Sequence, residues 1–375
     1  MKVSLISDNL QEKILFVNHA ISTRSQLPIL LNFLIEAKEG KLIISATDLE
    51  IGILVDIAAK VDEEGAITVP AKTFVELIGT ISSGKITLET TPEGLKLVGE
   101  KEETVFQTAP ADEFPKLYED KGRKIMVLKK ETLEKDFSKI VFAASPDSER
   151  PALSGILIKE EKEGFLLVAT DGYRLSLKRN ALQSAKKESA DEMVSMLVPA
   201  RLIRELIQME KGTEEDVMVY AAKEKNQVIF SQNYTILVGR LIEAEFPNYE
   251  KIIPTDFSTK TVFDKNDLQK AIKAAYVFAR QTAGIIKLSI GKTKIIVSAN
   301  APSVGKNQIE VETKTTGEEN EIAFNARYLL DFLANSTSET VSFEMNGPLN
   351  PGVFRETDDS TFMHLIMPIR VQESA

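Results

Sequence analysis

Apolar positions along the chain switch between two periods at regular intervals. The pattern is clearest in the middle third. Residues 124–128 alternate apolar and polar side chains, as a half-buried strand does. Residues 131–143 then place Leu133, Phe137, Ile140 and Val141 at helical spacing. Strand-like runs follow at 152–158, 165–169 and 173–177. The order then restarts, with a strand at 193–198, a helix at 199–210 and strands at 216–221, 228–231 and 235–241. Pro199 suits the first helical position, where its missing N–H costs nothing. Each half of this third therefore reads strand, helix, three strands. The flanking thirds read the same way, with helices at 9–20 and 71–81 before it and at 265–280 and 325–335 after it. Six helices and roughly 24 strands define an α+β protein of mostly antiparallel hairpins. Glycine turns such as Glu39-Gly40 and Glu163-Gly164 suit the tight connections.

The repeat is also visible residue by residue. Ala71-Lys72-Thr73-Phe74-Val75-Glu76-Leu77-Ile78, Ala200-Arg201-Leu202-Ile203-Arg204-Glu205-Leu206-Ile207 and Ala326-Arg327-Tyr328-Leu329-Leu330-Asp331-Phe332-Leu333 start 129 and 126 residues apart. Ala46-Thr47-Asp48, Ala169-Thr170-Asp171 and Ser298-Ala299-Asn300 lie 123 and 129 residues apart. Two unrelated landmarks with one period imply three similar domains, each of two β-α-β-β-β halves. The expected boundaries are 1–124, 125–255 and 256–375, the first two ending after similar passages, Glu113-Phe114-Pro115 and Glu245-Phe246-Pro247.

Composition narrows the chemistry. Apolar residues make up 43% and charged residues 27% of 375, as in an ordinary globular protein. No apolar run approaches the ~18–20 residues that span a bilayer, so no membrane partner is expected. The start, Met1-Lys2-Val3-Ser4-Leu5-Ile6-Ser7-Asp8, lacks the pattern of a secretory signal. The chain has no cysteine, which removes disulfides, thiol catalysis and cysteine-bound zinc and fits a cytoplasmic protein. Two histidines, His19 and His364, lie far apart, the first expected solvated or packed at a helix end and the second half-buried in the last strand. No His/Asp/Glu cluster has metal spacing, no phosphate-cradling glycine loop is present, and nothing pairs a serine or aspartate with a base. Asp171-Gly172 reads as a turn, since both residues tolerate positive φ. Neither catalytic residues, metal nor cofactor is expected.

A net charge of −10 argues against binding nucleic acid unless the positive charge is gathered on one face. It is gathered on helices. Residues 265–280 carry Lys265, Lys270, Lys273 and Arg280 against Asp267, and residues 199–212 carry Arg201, Arg204 and Lys211 against Glu205 and Glu210. Lys72 and Arg327 open two further helices, while acid concentrates in hairpins such as Asp62-Glu63-Glu64 and Glu160-Glu161. Any one such lysine simply solvates a helical face. Together, on helices pointing one way, they make a positive lining that attracts phosphate without reading sequence. A repeat-built scaffold that binds peptides and no DNA is the competing reading.

Seven motifs, in order, resemble the beta subunit of bacterial DNA polymerase III, the sliding clamp family. They are Leu27-Pro28-Ile29-Leu30, Thr47-Asp48-Leu49-Glu50, Val69-Pro70-Ala71, Ala169-Thr170-Asp171-Gly172-Tyr173-Arg174-Leu175, Val198-Pro199-Ala200-Arg201, Phe246-Pro247-Asn248-Tyr249 and Met367-Pro368-Ile369-Arg370. The resemblance spans essentially the whole chain. It implies a head-to-tail homodimer closing a ring, with helices inside and sheets outside, around double-stranded DNA. It implies a cleft shared by the replicative DNA polymerase, the clamp loader and repair proteins through short linear motifs. Carried over by position, that cleft is Leu153, Thr170, Gly172, Tyr173, Arg174, Leu175, Pro247, Ile252, Leu365, Met367, Pro368, Ile369 and Arg370. Leu175, Ile252 and Leu365 are expected as its apolar walls, and Arg174 and Arg370 at its rim. The subunit boundary falls on Phe106, Tyr276 and Val277. Arg24, on the loop before Leu27, joins Lys72, Arg201, Lys270, Lys273, Arg280 and Arg327 as the residues expected to face DNA. Two places depart from the family's pattern. The chain continues past Val371 with Gln372-Glu373-Ser374-Ala375, and Glu250-Lys251 stands where some relatives carry two basic residues.

Overall fold

In the computed structural model, residues 1–22, 25–147, 149–162, 164–181, 194–209, 215–222, 226–303 and 305–370 are described. Among them six α-helices fall where the period of 3.6 places them: α1 Ser7–Val17, α2 Ala71–Ile78, α3 Lys130–Val141, α4 Ala200–Gln208, α5 Lys265–Ala279 and α6 Ala326–Asn335. The longest is also the best capped. The Asp264 carboxylate accepts from the N–H groups of Asn266 and Asp267 at the start of α5, and Asn325 does the same for Arg327 in α6. Each helix buries one stripe, such as Ala71, Phe74 and Ile78 in α2 and Ala326, Leu329, Phe332 and Leu333 in α6. The helix expected over 9–20 tightens into a 3₁₀ turn from Asn18.

Strands match their expected positions to within a few residues, with two differences. Ala152 and Leu153, expected in a strand, lie in the 3₁₀ turn Pro151–Leu153, and the strand begins at Gly155. Pro151, with φ fixed and no N–H to donate, favours the turn over the ladder. A short strand, Lys60–Glu63, was not foreseen; four residues, three of them charged, carry too little apolar alternation to show.

The pairing is less local than the sequence pattern suggests. In the first third the leading strand of one half joins the sheet of the other: Lys2–Ile6 pairs with Lys85–Thr91, and Gly65–Pro70 pairs with Asn32–Lys38. The same exchange pairs Arg123–Leu128 with Val217–Ala222 and Ser195–Pro199 with Gly155–Glu161 in the middle third. In the last third Thr259–Asp264 pairs with Thr340–Met345, and Asn320–Asn325 with Ile285–Ile290. Sheets also run on from one third to another. Thr235–Arg240 pairs antiparallel with Ile51–Ala58, and Phe362–Ile366 with Arg174–Ala181. The described strands thus form sheets of five, eight and twelve strands.

Packing gathers the chain into two compact units. One comprises the described residues of 1–131 and 201–241; the other comprises those of 132–181, 194–200 and 242–370. Helices α1 and α2 pack together in the first unit and α5 and α6 in the second. The second unit also buries charge. Lys139 on α3 is fully buried against the carboxylates of Glu356 and, at 2.9 Å, Asp359. Lys178 reaches Asp359 at 2.9 Å from the neighbouring strand. The hydroxyl of Thr361 and the two ammonium groups outweigh the desolvation of Asp359 and hold its carboxyl well below the usual carboxylate range.

Candidate functional site

The turn between strands Gly164–Thr170 and Arg174–Ala181 is folded by two of its own side chains. Thr170 Oγ1 donates to the Arg174 carbonyl at 2.6 Å and accepts from the Gly172 N–H at 3.0 Å. Asp171 Oδ1 accepts from the N–H groups of Tyr173 and Arg174 at 2.9 and 3.0 Å. Gly172 has φ +91°, a conformation that side chains oppose. A Cβ there would meet only Leu153 Cδ1, at 4.0 Å, so the glycine leaves backbone open to an incoming chain. The first third repeats this turn. Thr47 Oγ1 bonds the Ile51 carbonyl and the Leu49 N–H, and Asp48 Oδ1 takes the N–H groups of Glu50 and Ile51. The shared Ala-Thr-Asp motif encodes a shared structure, with Leu49 at the glycine's place and also at positive φ.

The chain's last described segment runs beside the 170–174 turn. The Met367 N–H donates to the Tyr173 carbonyl and the Ile369 N–H to the Ala323 carbonyl, both at 2.8 Å. Beneath lies a buried cluster of Leu166, Val168, Leu175, Leu177, Tyr249, Val353, Met363 and Leu365, on which Phe246, Ile253 and Met367 pack. Tyr173 projects, 58% exposed, and Ile252 is 41% exposed. Pro247 and Arg370 are exposed, while Leu153, Pro368 and Ile369 are half-buried. Of the expected cleft residues, then, Leu153, Thr170, Gly172, Tyr173 and Met367 are brought together by direct bonds and close approaches. Pro247 and Ile252 stand on the segment whose neighbours Phe246 and Ile253 pack on the same core. Residues 371–375, with the extension, lie outside the described residues.

Three expectations need correction. Leu175 and Leu365, expected as apolar walls, are fully buried; opposite one another in a central strand pair, they face the core. Arg174 is not at the rim. It is 8% exposed, and its guanidinium donates to Asp171 Oδ2 at 3.1 Å, Asp331 Oδ2 at 2.6 Å and the Phe142 carbonyl at 2.8 Å. His364, expected half-buried, is fully buried; it is bonded to Ser176 Oγ at 2.8 Å and stacked on Phe332. Burial, with Arg174 nearby, holds its imidazole well below the ordinary histidine range.

Asp331 was missed, although the sequence carried a signal. Glu76, Glu205 and Asp331 hold the same place in the three helix repeats. Glu205 reaches His19 Nδ1 at 2.7 Å, as Asp331 reaches Arg174.

Among the expected DNA-facing residues, Lys270 and Lys273 are exposed on one face of α5, Arg280 at its C-cap, Arg327 on the first turn of α6 and Lys72 on α2. Lys270 has Asp267 at 3.5 Å. Arg201 is already engaged, its guanidinium bonded to the Asp48 carboxylate and, at 3.0 Å, to the His19 carbonyl. Arg24 lies outside the described residues. Of the expected boundary residues, Val277 is 50% exposed and Tyr276 half-buried, whereas Phe106 is 5% exposed, its ring 5.3 Å from that of Phe74.

The chain matches, in order, family models for the N-terminal domain (residues 1–118), the central domain (127–248) and the C-terminal domain (250–370) of the DNA polymerase III beta subunit. It is 28% identical to a beta sliding clamp of Synechococcus elongatus, over 99% of this chain and all of that one. It is also 28% identical to one of Staphylococcus epidermidis, over 94% of each. The crystal structure of the DNA polymerase III beta subunit from Thermotoga maritima covers 99% of this chain with all of its own, at a TM-score of 0.90 and 28% identity. That of the DNA polymerase sliding clamp from Bacillus subtilis does so at 0.93 and 25%. Three domain matches in sequence order and a fold matched from end to end place this chain in the DNA polymerase III beta subunit family, the bacterial sliding clamps.

Proposed function

We propose that the chain is a processivity factor: two copies close head to tail around duplex DNA, and the turn at 170–174 with the segment 367–370 holds the polymerase and other DNA-processing proteins by short peptide motifs. The reading includes three domains of two halves each. It includes no chemical step: His364 is buried and His19 is bound to Glu205.

The observation that carries the ring is a pairing rule. Twice within the chain, the last strand of one third's second half pairs with the last strand of another third's first half. The pairs are Thr235–Arg240 with Ile51–Ala58, and Phe362–Ile366 with Arg174–Ala181. One such pair is left to make, between Glu103–Phe106 and Gly305–Gly317. Among the described residues Glu103–Phe106 is the terminal strand of its sheet. Gly305–Gly317 pairs with Thr259–Asp264 only through its last residues, 313–317, which leaves the edge at 305–312 open among the described residues. Asn307, on that stretch, has a buried side-chain oxygen without a hydrogen-bond partner among the described residues. A second copy supplies the missing partner at each edge, which is a head-to-tail contact that closes when the rotation permits. Exposed Lys72, Lys270, Lys273, Arg280 and Arg327 supply the sequence-independent attraction for phosphate.

The test is topological. Protein placed on a nicked circular plasmid by a bacterial clamp loader should co-elute with the circle on gel filtration. It should be lost when one restriction cut lets it slide off. Equal retention on circular and linear DNA, or none on either, overturns the ring and favours a peptide-binding scaffold.

A further inference from the structure

We propose that Asp331 and Tyr328, both on α6, are positioning residues for the peptide cleft: they hold Arg174, and Arg174 holds the turn that presents Gly172 and Tyr173. The inference rests on the reading of that turn as a docking site.

Arg174 has little left to offer a peptide. Its Nε, Nη1 and Nη2 each donate inside the protein, to Asp171, Asp331 and the Phe142 carbonyl. Its guanidinium lies over the Tyr328 ring at 4.7 Å and the Phe142 ring at 5.5 Å. A planar fork bound on three sides and covered by aromatic rings is a fixed strut. What it fixes is the Asp171 carboxylate. Oδ2 takes the Arg174 Nε–H, while Oδ1 takes the N–H groups of Tyr173 and Arg174 that fold the turn. Asp331 is the second carboxylate on that guanidinium. Without it, a buried cation must turn toward water and away from Asp171.

The equivalent turn in the first third supports the reading independently. Its Asp48 carboxylate is likewise tied to a helix, here by Arg201 at the start of α4. The arginine comes from the helix in one case and from the turn in the other, but the tie recurs. At the cleft, the helix contributes the carboxylate and the aromatic face.

A fluorescein-labelled peptide of the C-terminal tail of a bacterial replicative polymerase, followed by fluorescence anisotropy, tests this on the full chain. Asp331→Asn should weaken binding about tenfold, the loss expected of one charge-assisted hydrogen bond. Asp331→Glu should recover most of it. Tyr328→Leu, which removes the aromatic face, should weaken binding a few-fold. In an Arg174→Gln background Asp331→Asn should have no further effect, because it acts only through Arg174; a general loss of stability would add in full. Wild-type affinity in Asp331→Asn, or full additivity with Arg174→Gln, overturns the strut while leaving the cleft in place. A wild-type chain that ignores the peptide removes the cleft reading itself, and the strut with it.

Discussion

Lys139 shows how much a single residue can carry. Its ammonium is buried between Glu356 and Asp359 and lies 5.4 Å from the Phe362 ring centre. Glu356 also accepts from Ser336 Oγ and the Thr337 N–H, so the lysine completes a buried network around that carboxylate. Lys139→Met should lower unfolding free energy by about 3–5 kcal/mol, the cost of leaving a buried carboxylate unpaired, read from urea melts. The pH dependence has a definite sign. Asp359 is held below its unfolded value, so its contribution is present above pH about 4 and is lost as pH falls below that, through the folded value. Wild-type stability should therefore fall more steeply than that of Lys139→Met as urea midpoints are followed from pH 5 toward about pH 2. Little of this is legible in the chain. Lys139 in a helix rich in Lys and Glu reads as a solvated face, and its partners lie more than 200 residues away. Gly172 and Thr170 were legible, because a turn's chemistry is local. Arg174 was half legible: its backbone belongs to the turn that the motif marks, but its side-chain direction depended on Asp331, which is 157 residues on.

At the scale of elements, period and capping place the helices and most strands, yet they do not say which edges meet. Alternation tells which side chains share a face, and every strand offers two edges. The exchange of leading strands between halves was therefore hidden, as was the continuation of sheets across thirds. The open edges at Glu103–Phe106 and Gly305–Gly317 set the next expectation. Phe106 packs on Phe74, so an aspartate there would damage its own domain before it tested any boundary. Val105 beside it is 39% exposed and Val277 is 50% exposed. Val105→Asp combined with Val277→Asp should sediment as one chain of 41.6 kDa, with an unchanged far-ultraviolet circular dichroism spectrum, where wild type sediments at twice that mass. A double variant that stays dimeric places the boundary elsewhere.

For the whole molecule, the overall charge of −10 was the poorest guide, since it averages acidic hairpins with basic helix faces. Seven ordered motifs were the best. If the exposed cations of α2, α5 and α6 face the duplex, changing Lys72, Lys270, Lys273 and Arg280 to glutamine should flatten the salt dependence of DNA retention. The slope of log affinity against log salt should drop by about 0.9 for each phosphate no longer neutralised; an unchanged slope means that other residues face the DNA. The exchange of leading strands has a further consequence, in time. Lys2–Ile6 leaves the ribosome well before one of its partners, Lys85–Thr91, is made. Until then an apolar edge waits without its ladder, and the same delay recurs in each third. Such non-local pairing slows folding and exposes edges to other chains. Nascent chains stalled before residue 91 should be protease-sensitive throughout the first third, and chains released after it should not.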